Sequence, residues 1–300
     1  MIEHAEFTVE EGDTQKTELP PNLGLRDRAS LVAINGHEAG RVFSLSGEVL
    51  VGRAMQCQLR IDEPGVSRVH AKVVANGRQC ILSDLNSRNG VFVNGQRVTT
   101  AELHHGDRVN FGPSSVMRFA LADEQEERLA RELYRSAVRD ALTGVFNRGH
   151  FEERIAAELA YAMRHHTEVA LAMLDIDHFK RINDRLGHPA GDQVLREVAG
   201  AIARSVRAED LVARYGGEEF VVMARGINID GASAMAERIR SRVGALSVHW
   251  ETTPIPVTLS AGVALFSECG GDRTGRRLVE LADSRLYAAK TAGRNRVIAC

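Results

Sequence analysis

The sequence has few features of a secreted, membrane-bound or nucleic-acid-binding protein. Its four cysteines among 300 residues are far apart and form no Cys-x-x-Cys pair, which is typical of ordinary thiols in a reducing compartment. The longest apolar run, residues 169–174, is far shorter than the roughly 20 residues that span a bilayer. The acidic N-terminus predicts neither a signal peptide nor an anchor. A formal net charge of -2 gives no case for general nucleic-acid binding. We therefore expect a cytoplasmic protein.

A hydrophobic content of 44% is sufficient for two globular domains that each bury a core. Residues 1–28 differ from the rest, because they combine many acids and Pro20-Pro21 with few apolar groups. Such a segment cannot offset the entropy of ordering, so we expect a mobile acidic tail. Three threonines, Thr8, Thr14 and Thr17, stand among the acids, and the simplest interpretation is a solvating leader.

Residues 29–121 consist of many short β-type runs separated by turns. This spacing predicts an antiparallel all-β sandwich. The expected strands are residues 31–34, 41–45, 49–51, 58–61, 71–75, 79–83, 90–93, 108–111 and 115–121.

The loops of this region carry the unusual side chains. Arg53 follows one strand, Ser67 precedes another, and Arg88 and Asn89 lie in a third loop. Arginines, a hydroxyl and an amide at one end of a sandwich would supply the charge and the hydrogen-bond donors that a phosphate monoester needs. The alternative is a sandwich whose loops serve only as turns.

This region resembles the forkhead-associated (FHA) domain. The motifs that carry the resemblance are Gly-Arg (52–53), Ser-x-x-His (67–70) and Leu-Asn-Ser-x-Asn-Gly-x-x-Val-Asn-Gly (85–95). The resemblance implies a phosphothreonine-binding module in which Arg53 and Ser67 grip the phosphate with help from Arg88. It further implies that Asn89 holds the peptide backbone and that His70 braces the binding loop.

The FHA resemblance gives the tail threonines a second interpretation. After modification by a Ser/Thr kinase, Thr8, Thr14 or Thr17 would dock on the chain's own sandwich or on that of a neighbour. The competing hypothesis is an external phosphopeptide from a partner protein.

Residues 122–140 contain neither glycine nor proline and are rich in Glu, Arg, Ala and Leu, which predicts a linker helix. Leu129, Leu133 and Val138 form a narrow apolar stripe. Such a stripe is typical of a two-helix coiled-coil seam, which would make the protein a homodimer, although packing on its own domain is the alternative.

Residues 141–300 alternate between helical and β-type segments, which favours an α/β domain with a central mixed sheet. The expected helices are residues 151–164, 179–186, a segment ending at 206, 231–246 and 278–291. The expected strands are residues 169–175, 210–213, 220–224, 257–265 and 296–299.

A hairpin around residues 214–220 places Gly216 and Gly217 at its tip, where the absence of Cβ atoms permits positive φ and would allow backbone N–H groups to approach a phosphate closely. Glu218 and Glu219 follow and should point to opposite faces. Asp175 ends a buried strand, where a carboxylate is costly unless a cation or a partner stabilises it. If the strands are neighbours, Asp175 and Glu218 can share Mg²⁺.

Two metals between a 3′-hydroxyl and an α-phosphate would suit nucleotidyl transfer. Lys290 and Arg294, at i and i+4 near a helix end, would then bind the β- and γ-phosphates. The alternative for each is ordinary surface charge.

The C-terminal region resembles the GGDEF diguanylate cyclase domain over residues 138–300. The motifs are Asp-Ala-Leu-Thr-Gly-Val-Phe-Asn-Arg (140–148), Asp-Ile-Asp-His-Phe-Lys-Arg-Ile-Asn-Asp (175–184), Gly-His-Pro-Ala-Gly-Asp (187–192), Gly-Gly-Glu-Glu-Phe (216–220), Ser-Ala-Gly (260–262) and Asp-Ser-Arg-Leu-Tyr-Ala-Ala-Lys-Thr-Ala-Gly-Arg-Asn (283–295). Glu218 stands where the family name has Asp, which keeps the charge. The resemblance implies a bacterial transferase that condenses two GTP into cyclic di-GMP and releases pyrophosphate.

The resemblance also implies roles for individual residues. Asp175, the carbonyl of Ile176 and Glu218 would bind Mg²⁺, two ions per active site with Mn²⁺ as a substitute, while Glu219 serves metal or base chemistry and Asp177 is structural. The guanine would be recognised by Asn183 and Asp192. The triphosphate would lie along the turn glycines and along Phe179, Lys180, Lys290 and Arg294.

Arg207 and Asp210 form an Arg-x-x-Asp pair at the family's spacing from the turn, which implies a product-inhibition site with Arg238 as a second arginine. Each domain has room for one GTP, so activity would require a homodimer. The rival hypothesis is a catalytically silent receptor or scaffold for GTP or cyclic di-GMP that recruits phosphoproteins. A third is cyclisation of a different nucleotide pair.

Overall fold

The structure is a computed structural model that describes residues 26–35, 39–61, 63, 65–112, 115–272 and 274–299. The predicted phosphorylation sites Thr8, Thr14 and Thr17 lie outside the described residues. The predicted fold class is confirmed, because an all-β sandwich is followed by an α/β domain with a mixed sheet. No helix in the described part of the chain is long and apolar enough to cross a bilayer.

The N-terminal domain is a sandwich of two sheets with strand orders β2-β1-β11-β10-β7-β8 and β4-β3-β5-β6-β9. The short strands β8 and β9 are absent from the prediction, because three residues carry too little alternation to be recognised. The strands are Arg28–Ala33 (β1), Val42–Leu45 (β2), Gly47–Gly52 (β3), Leu59–Arg60 (β4), Ala71–Asn76 (β5), Gln79–Asp84 (β6), Val91–Val93 (β7), Gln96–Val98 (β8), Thr100–Glu102 (β9), Arg108–Phe111 (β10) and Ser115–Ala122 (β11).

The sandwich is held together by the inward-facing residues of both sheets. In β5 every second residue is buried, and Val73 is fully covered between the layers. Phe111 and Phe119 are the largest side chains of this core and are also fully buried. Burial of such side chains is worth about 1.5–3 kcal/mol each. The loops at the ends of the strands are therefore carried on a rigid frame.

Helix α1, Glu124–Val138, follows the sandwich and begins with a capping box in which Asp123 and Glu126 exchange hydrogen bonds. None of its residues is buried. Its contacts with the sandwich are polar, since Ser44 of β2 bonds both Glu127 and Arg131.

Leu129 and Leu133 do not pack on the chain's own sandwich, because they are 55% and 64% exposed. The described residues therefore leave Leu129 and Leu133 largely uncovered, which does not support the alternative that these two residues pack on their own domain.

The C-terminal domain has the sheet order β13-β14-β12-β17-β18, antiparallel except between β17 and β18. A separate small hairpin, β15 with β16, is absent from the prediction. The elements are Arg148–His165 (α2), Val169–Ile176 (β12), Phe179–Leu186 (α3), His188–Ala203 (α4), Leu211–Arg214 (β13), Glu219–Arg225 (β14), Ile229–Gly244 (α5), Val248–Trp250 (β15), Thr253–Ile255 (β16), Leu259–Leu265 (β17), a 3₁₀ helix Phe266–Cys269, Arg276–Thr291 (α6) and Val297–Ile298 (β18).

Strand β12 is buried along its whole length because helices cover both faces of the sheet. Leu174 and its even-numbered neighbours pack towards α4 and α5, while Leu171 and Met173 pack towards α2 and α6. This alternation follows from the two-residue period of a strand. Asp175 belongs to the odd series, so it points to the side of α6.

The chain between α1 and α2 is attached to the edge of this sheet. Phe146 exchanges backbone hydrogen bonds with Val212 and Arg214 at 3.0 and 2.8 Å, which extends the sheet beside β13. Asn147 donates to the carbonyls of Ala137 and Val138 at 2.7 and 2.9 Å, which ties down the last turn of α1. The end of the linker helix is thus bonded to the segment that extends the sheet of the C-terminal domain.

Replacement of Gly262 by alanine tests how closely α6 packs on β17. A Cβ at this position would fall on the carbonyl oxygen of Ala282 and the amide nitrogen of Leu286, both backbone atoms. We expect Gly262→Ala to lower the free energy of unfolding by about 1–3 kcal/mol. Urea unfolding followed by fluorescence of Trp250, the single tryptophan, measures this domain.

Gly244→Ala is the matched control, because no atom lies within 4 Å of its added Cβ. We expect its unfolding midpoint to stay within the range of ordinary surface substitutions, about 0.5 kcal/mol. Equal midpoints for both variants would contradict the close approach.

Candidate active site

The candidate site lies at the end of β12, in the middle of the sheet. Asp175 stands opposite Glu219 of β14 and Ser260 of β17. Glu219 rather than Glu218 is therefore the direct cross-strand neighbour of Asp175. Glu218 lies one residue earlier, in the turn, where its carbonyl accepts a hydrogen bond from the amide of Ile176 at 3.3 Å.

Lys290 of α6 reaches the buried carboxylate. Its ammonium lies 2.8 Å from Oδ2 of Asp175, whose side chain is only 8% exposed. Burial raises the pKa of Asp175 to about 6, and the negative charges of Glu218 and Glu219 act in the same direction. Lys290 opposes this rise, because its positive charge favours the ionised carboxylate.

The predicted metal ligands are hard oxygen donors: the carboxylates of Asp175 and Glu218 and the carbonyl of Ile176. Among the residues that the structure describes, no three His, Cys, Asp or Glu side chains form a group that could hold a metal ion. Two carboxylates and a carbonyl fit Mg²⁺, which commonly takes its remaining ligands from substrate phosphates and water.

Neither Gly216 nor Gly217 uses the positive φ that glycine permits. Close approach explains Gly216, because a Cβ there would collide with the carboxylate of Glu219. The tip at Gly217 is open, with no atom within 4 Å of an added Cβ. The backbone can therefore be approached from solvent at this point.

Arg214 and Asp140 brace the turn, and sequence reasoning missed this role. Arg214 donates to the carbonyl of Gly217 at 2.6 and 3.1 Å and to both carboxylate oxygens of Asp140 at 3.2 Å. Burial acts to raise the pKa of Asp140, but two hydrogen bonds from Thr143 and the charge of Arg214 hold it below its ordinary value. The Asp-x-x-Thr spacing of a side-chain-capped turn was the available signal.

Asp177 has a structural environment. Its carboxylate accepts hydrogen bonds from the hydroxyls of Thr258 and Ser260, both at 2.7 Å, and from the amide of Asn295 at 3.0 Å. It ties the loop before β17 to the segment that follows α6, and these donors leave it poorly placed to bind a cation.

The first turn of α3 faces this site without a side-chain cap, because its N-cap residue His178 makes no capping hydrogen bond. The first amides of a helix attract anions when they have no partner in the helix. Phe179 contributes only its backbone here, since its side chain is 6% exposed and belongs to the core. Lys180 is exposed and free to follow a triphosphate.

The predicted guanine-binding residues lie where α3 meets α4. Oδ1 of Asn183 is buried and has no hydrogen-bond partner among the described residues. A Cβ at Gly191 would collide with this oxygen, so the glycine keeps space beside the amide. Asp192 follows directly and is half-buried. An unpaired buried acceptor costs about 1–3 kcal/mol, so this cleft suits a polar ligand.

Arg294 is not an i+4 neighbour of Lys290 on the helix surface, because α6 ends at Thr291. The chain turns at Gly293 (φ 112°), and Arg294 is itself left-handed (φ 64°), with its amide bonded to Ala289 at 3.0 Å. Its side chain is exposed beside the site.

The predicted product-inhibition residues line one pocket of about 580 Å³ at the far end of β13. One carboxylate oxygen of Asp210 accepts from the amide of Arg207 at 2.9 Å, and the other is buried without a partner among the described residues. Burial raises the pKa of Asp210, opposed by that backbone bond. Arg238 faces the same pocket and donates to the carbonyl of Ser205 at 3.0 Å.

The predicted phosphothreonine-binding residues lie on three loops at one end of the sandwich. The amide of Arg53 donates to the carbonyl of Ser67 at 3.0 Å, and the amide of Arg88 donates to the Ser67 hydroxyl at 3.0 Å. Nε of Arg53 is buried without a partner in the described part of the chain. Asn89 donates to the carbonyl of Gly65 at 2.8 Å.

His70 braces these loops from below. It is fully buried, its Nδ1 accepts from the amide of Ser67 at 3.0 Å, and its Nε2 contacts the carbonyl of Gly90 at 3.2 Å. Burial lowers the pKa of His70, which favours the neutral ring that these two bonds require.

Comparison with known families gives two matches in chain order. The sequence model described as "FHA domain" matches residues 49–112, and the one described as "Diguanylate cyclase, GGDEF domain" matches residues 137–296.

Curated relatives include the diguanylate cyclase DgcP of Pseudomonas aeruginosa, 36% identical over 213 residues, which are 70% of this chain and 31% of that protein. The probable diguanylate cyclase DgcT of Escherichia coli is 42% identical over 164 residues, which are 54% of this chain and 35% of that protein. The chain thus spans about a third of the length of these two relatives.

Among solved structures, the coiled coil and GGDEF domain of DgcB from Caulobacter crescentus, in complex with cyclic di-GMP, matches with a TM-score of 0.55 and 36% identity. The match covers 59% of this chain and 93% of that one. With the family model matching more than half of its residues, this chain belongs to the GGDEF diguanylate cyclase domain family and carries an FHA domain before the GGDEF domain.

Proposed function

We propose that this chain condenses two GTP molecules into cyclic di-GMP and releases pyrophosphate, as a Mg²⁺-dependent homodimer. The observation that carries the proposal is the meeting of Asp175, Glu219 and Lys290 at the end of the central strand, beside an open glycine turn. Two acidic groups and one cation next to an approachable backbone suit the transfer of a nucleotidyl group. The family's curated relatives carry the same assignment in their names.

Different groups of residues bind different parts of the GTP substrate. Asn183 and Asp192 recognise the guanine edge in the cleft between α3 and α4. The uncapped amides of α3, with Lys180 and Arg294, hold the triphosphate. When bound through Asp175, Glu218 and the carbonyl of Ile176, Mg²⁺ supplies activation of the attacking 3′-hydroxyl and neutralises charge on the α-phosphate.

Each domain has one such set of residues, so the two substrates must come from two copies of the chain. The uncovered stripe of Leu129 and Leu133 on α1 supports a seam between the linker helices of two copies. Because α1 ends in bonds to the edge of the sheet, the angle of this seam sets how the two active sites face each other.

Removal of Glu218 tests the reaction. The purified protein incubated with GTP and Mg²⁺ should form cyclic di-GMP, quantified by chromatography. Glu218→Ala should lower the rate more than about 100-fold, because a metal ligand at the reacting phosphate is lost. Glu197→Ala, which removes an exposed carboxylate from α4, is the charge-matched control and should keep the activity.

The rival receptor hypothesis has a distinct outcome. A chain that forms no product before or after treatment with a threonine kinase, yet binds cyclic di-GMP tightly, would be a receptor. A product formed equally well by Glu218→Ala would contradict the assignment of the active site.

Feedback by the product is a second part of the proposal, located at the pocket of Arg207, Asp210 and Arg238. Arg207→Ala removes a charge-assisted contact to the product, so the concentration of cyclic di-GMP that halves the initial rate should rise about tenfold or more. Arg196→Ala, an exposed arginine of α4 that does not line the pocket, should leave this concentration unchanged. Equal inhibition of both variants would remove the pocket from the proposal.

Recognition of phosphothreonine by the sandwich is the third part. Peptides covering residues 1–25 with phosphate on Thr8, Thr14 or Thr17 are titrated by fluorescence anisotropy. Ser67→Ala and Arg53→Ala should each weaken binding about tenfold or more, since each removes a donor to the phosphate. Arg118→Ala, an exposed arginine on β11, is the control.

The same titration separates the two sources of the phosphothreonine. If no tail phosphopeptide binds while an unrelated phosphothreonine peptide does, the partner is external. If neither binds, phosphothreonine recognition is wrong.

A further inference from the structure

Lys290 is bonded to Asp175 in the structure, whereas the GGDEF resemblance implies that its ammonium binds the triphosphate. Its ammonium lies 2.8 Å from Oδ2 of Asp175, and the carboxylate side chain is 8% exposed while that of Lys290 is 30% exposed. In the proposed reaction this carboxylate is a ligand for the cation, and the GGDEF resemblance implies that this ammonium binds the β- and γ-phosphates. In the structure the two groups are bonded to each other instead.

The competition is electrostatic, because the ammonium is bonded to Oδ2 of Asp175 and a cation bound to either oxygen of this carboxylate would lie close to it. Asp175 lies among the carboxylates of Glu218 and Glu219, and its ion pair with Lys290 partly neutralises this acidic group. A cation that approached Asp175 would meet the ammonium at contact distance. Like charges at such a distance repel strongly in a poorly hydrated site.

The described residues offer a divalent cation only a few ligands at this site. No three acidic, histidine or cysteine side chains among them form a metal-holding group. A divalent ion therefore needs phosphate oxygens to complete its coordination. The triphosphate that brings these oxygens also brings the negative charge that draws the ammonium away from Asp175.

We propose that Lys290 is an electrostatic interlock: it occupies Asp175 until a triphosphate arrives, so that the divalent cation and the nucleotide bind only as a coupled pair. This inference rests on the proposed function. In the resting protein Lys290 excludes the cation, and in the loaded protein the same ammonium has moved to the phosphates. Lys290 is thus a positioning residue for the metal as well as a substrate contact.

The test measures cation binding rather than turnover. Mn²⁺ is titrated with each protein in the absence of nucleotide, and free Mn²⁺ is read from its electron paramagnetic resonance signal. Lys290→Met keeps the length of the side chain and removes its charge. The titration is done at a pH at which the carboxylate of Asp175 is ionised in both proteins, because the loss of Lys290 also raises the pKa of Asp175. There we expect Lys290→Met to bind Mn²⁺ about tenfold or more tightly than the unaltered protein, since a positive charge beside the carboxylate is removed.

Lys180→Met is the matched control. Both lysines are expected along the triphosphate, but only Lys290 is within bonding distance of Asp175. Lys180→Met should therefore bind Mn²⁺ as weakly as the unaltered protein. Lys290→Gln, which retains a hydrogen-bond donor without the charge, should behave as Lys290→Met and provides a second variant if the first does not fold.

The coupling itself is measured with the α,β-methylene analogue of GTP, which cannot release pyrophosphate. For each protein, the Mn²⁺ affinity is measured with and without the analogue and corrected for Mn²⁺ that is chelated by free analogue. The ratio of these two affinities should be about tenfold larger for the unaltered protein than for Lys290→Met. The thermodynamic cycle isolates the contribution of the ammonium, because the phosphate ligands are common to both proteins.

Equal nucleotide-free Mn²⁺ affinity in the unaltered protein, Lys290→Met and Lys290→Gln would overturn the interlock. The interlock would also be overturned if Lys180→Met bound Mn²⁺ as tightly as Lys290→Met does. The gain in affinity would then come from the lower net charge of the protein and not from the ion pair with Asp175. Failure of the proposed function is distinguishable: a chain that forms no cyclic di-GMP can still show the difference between Lys290→Met and Lys180→Met in Mn²⁺ binding alone.

Discussion

The central constraint is that β12 is covered on both faces, so that water solvates the carboxylate of Asp175 near its end only poorly. Successive side chains of this strand point alternately into two hydrophobic cores, and Asp175, as an odd-numbered residue, points to the side of α6. A buried carboxylate with acidic neighbours needs a cation. Lys290 supplies one in the structure, and Mg²⁺ supplies one in the proposed reaction. Both the position of α6 and the chemistry of the site follow from the burial of this strand.

A second consequence of the fold is that the glycine turn is not a free loop. Arg214 joins the carbonyl of Gly217 to Asp140, and Asp140 lies in the segment that connects α1 to α2. The same segment is bonded to the edge strand β13 through Phe146. A continuous series of hydrogen bonds therefore joins the segment after the linker helix to the backbone of the turn, with the guanidinium of Arg214 as the last link.

The sequence predicted the longer elements in their order, because a fully apolar strand, alternating strands and glycine-punctuated turns are local patterns, whereas the short strands β8, β9, β15 and β16 were not predicted. The structural role of Asp177 was an implication of the GGDEF resemblance and not of a local pattern. Long-range pairs were not predictable in this way: Arg214 meets Asp140 across 74 positions of the chain. The burial of Phe179 and the close approach of Glu219 to Gly216 were also not predicted, since they depend on how α3 and Glu219 pack against the sheet.

The two ends of α1 are held with different strength, and this bears on how a signal could pass from one domain to the other. Towards the sandwich the helix makes polar contacts, such as the half-exposed ion pair of Arg26 with Glu126, and exposed pairs of this kind contribute about 0–1 kcal/mol. Towards the cyclase domain, backbone hydrogen bonds and the stacking of Arg139 on Phe146 at 4.0 Å fix it. The contacts of α1 with the sandwich are therefore side-chain contacts, whereas its contacts with the sheet of the C-terminal domain include backbone hydrogen bonds. A helix loosened by events at the FHA loops would stay attached to the active-site turn, which is the mechanical requirement for control through dimer geometry.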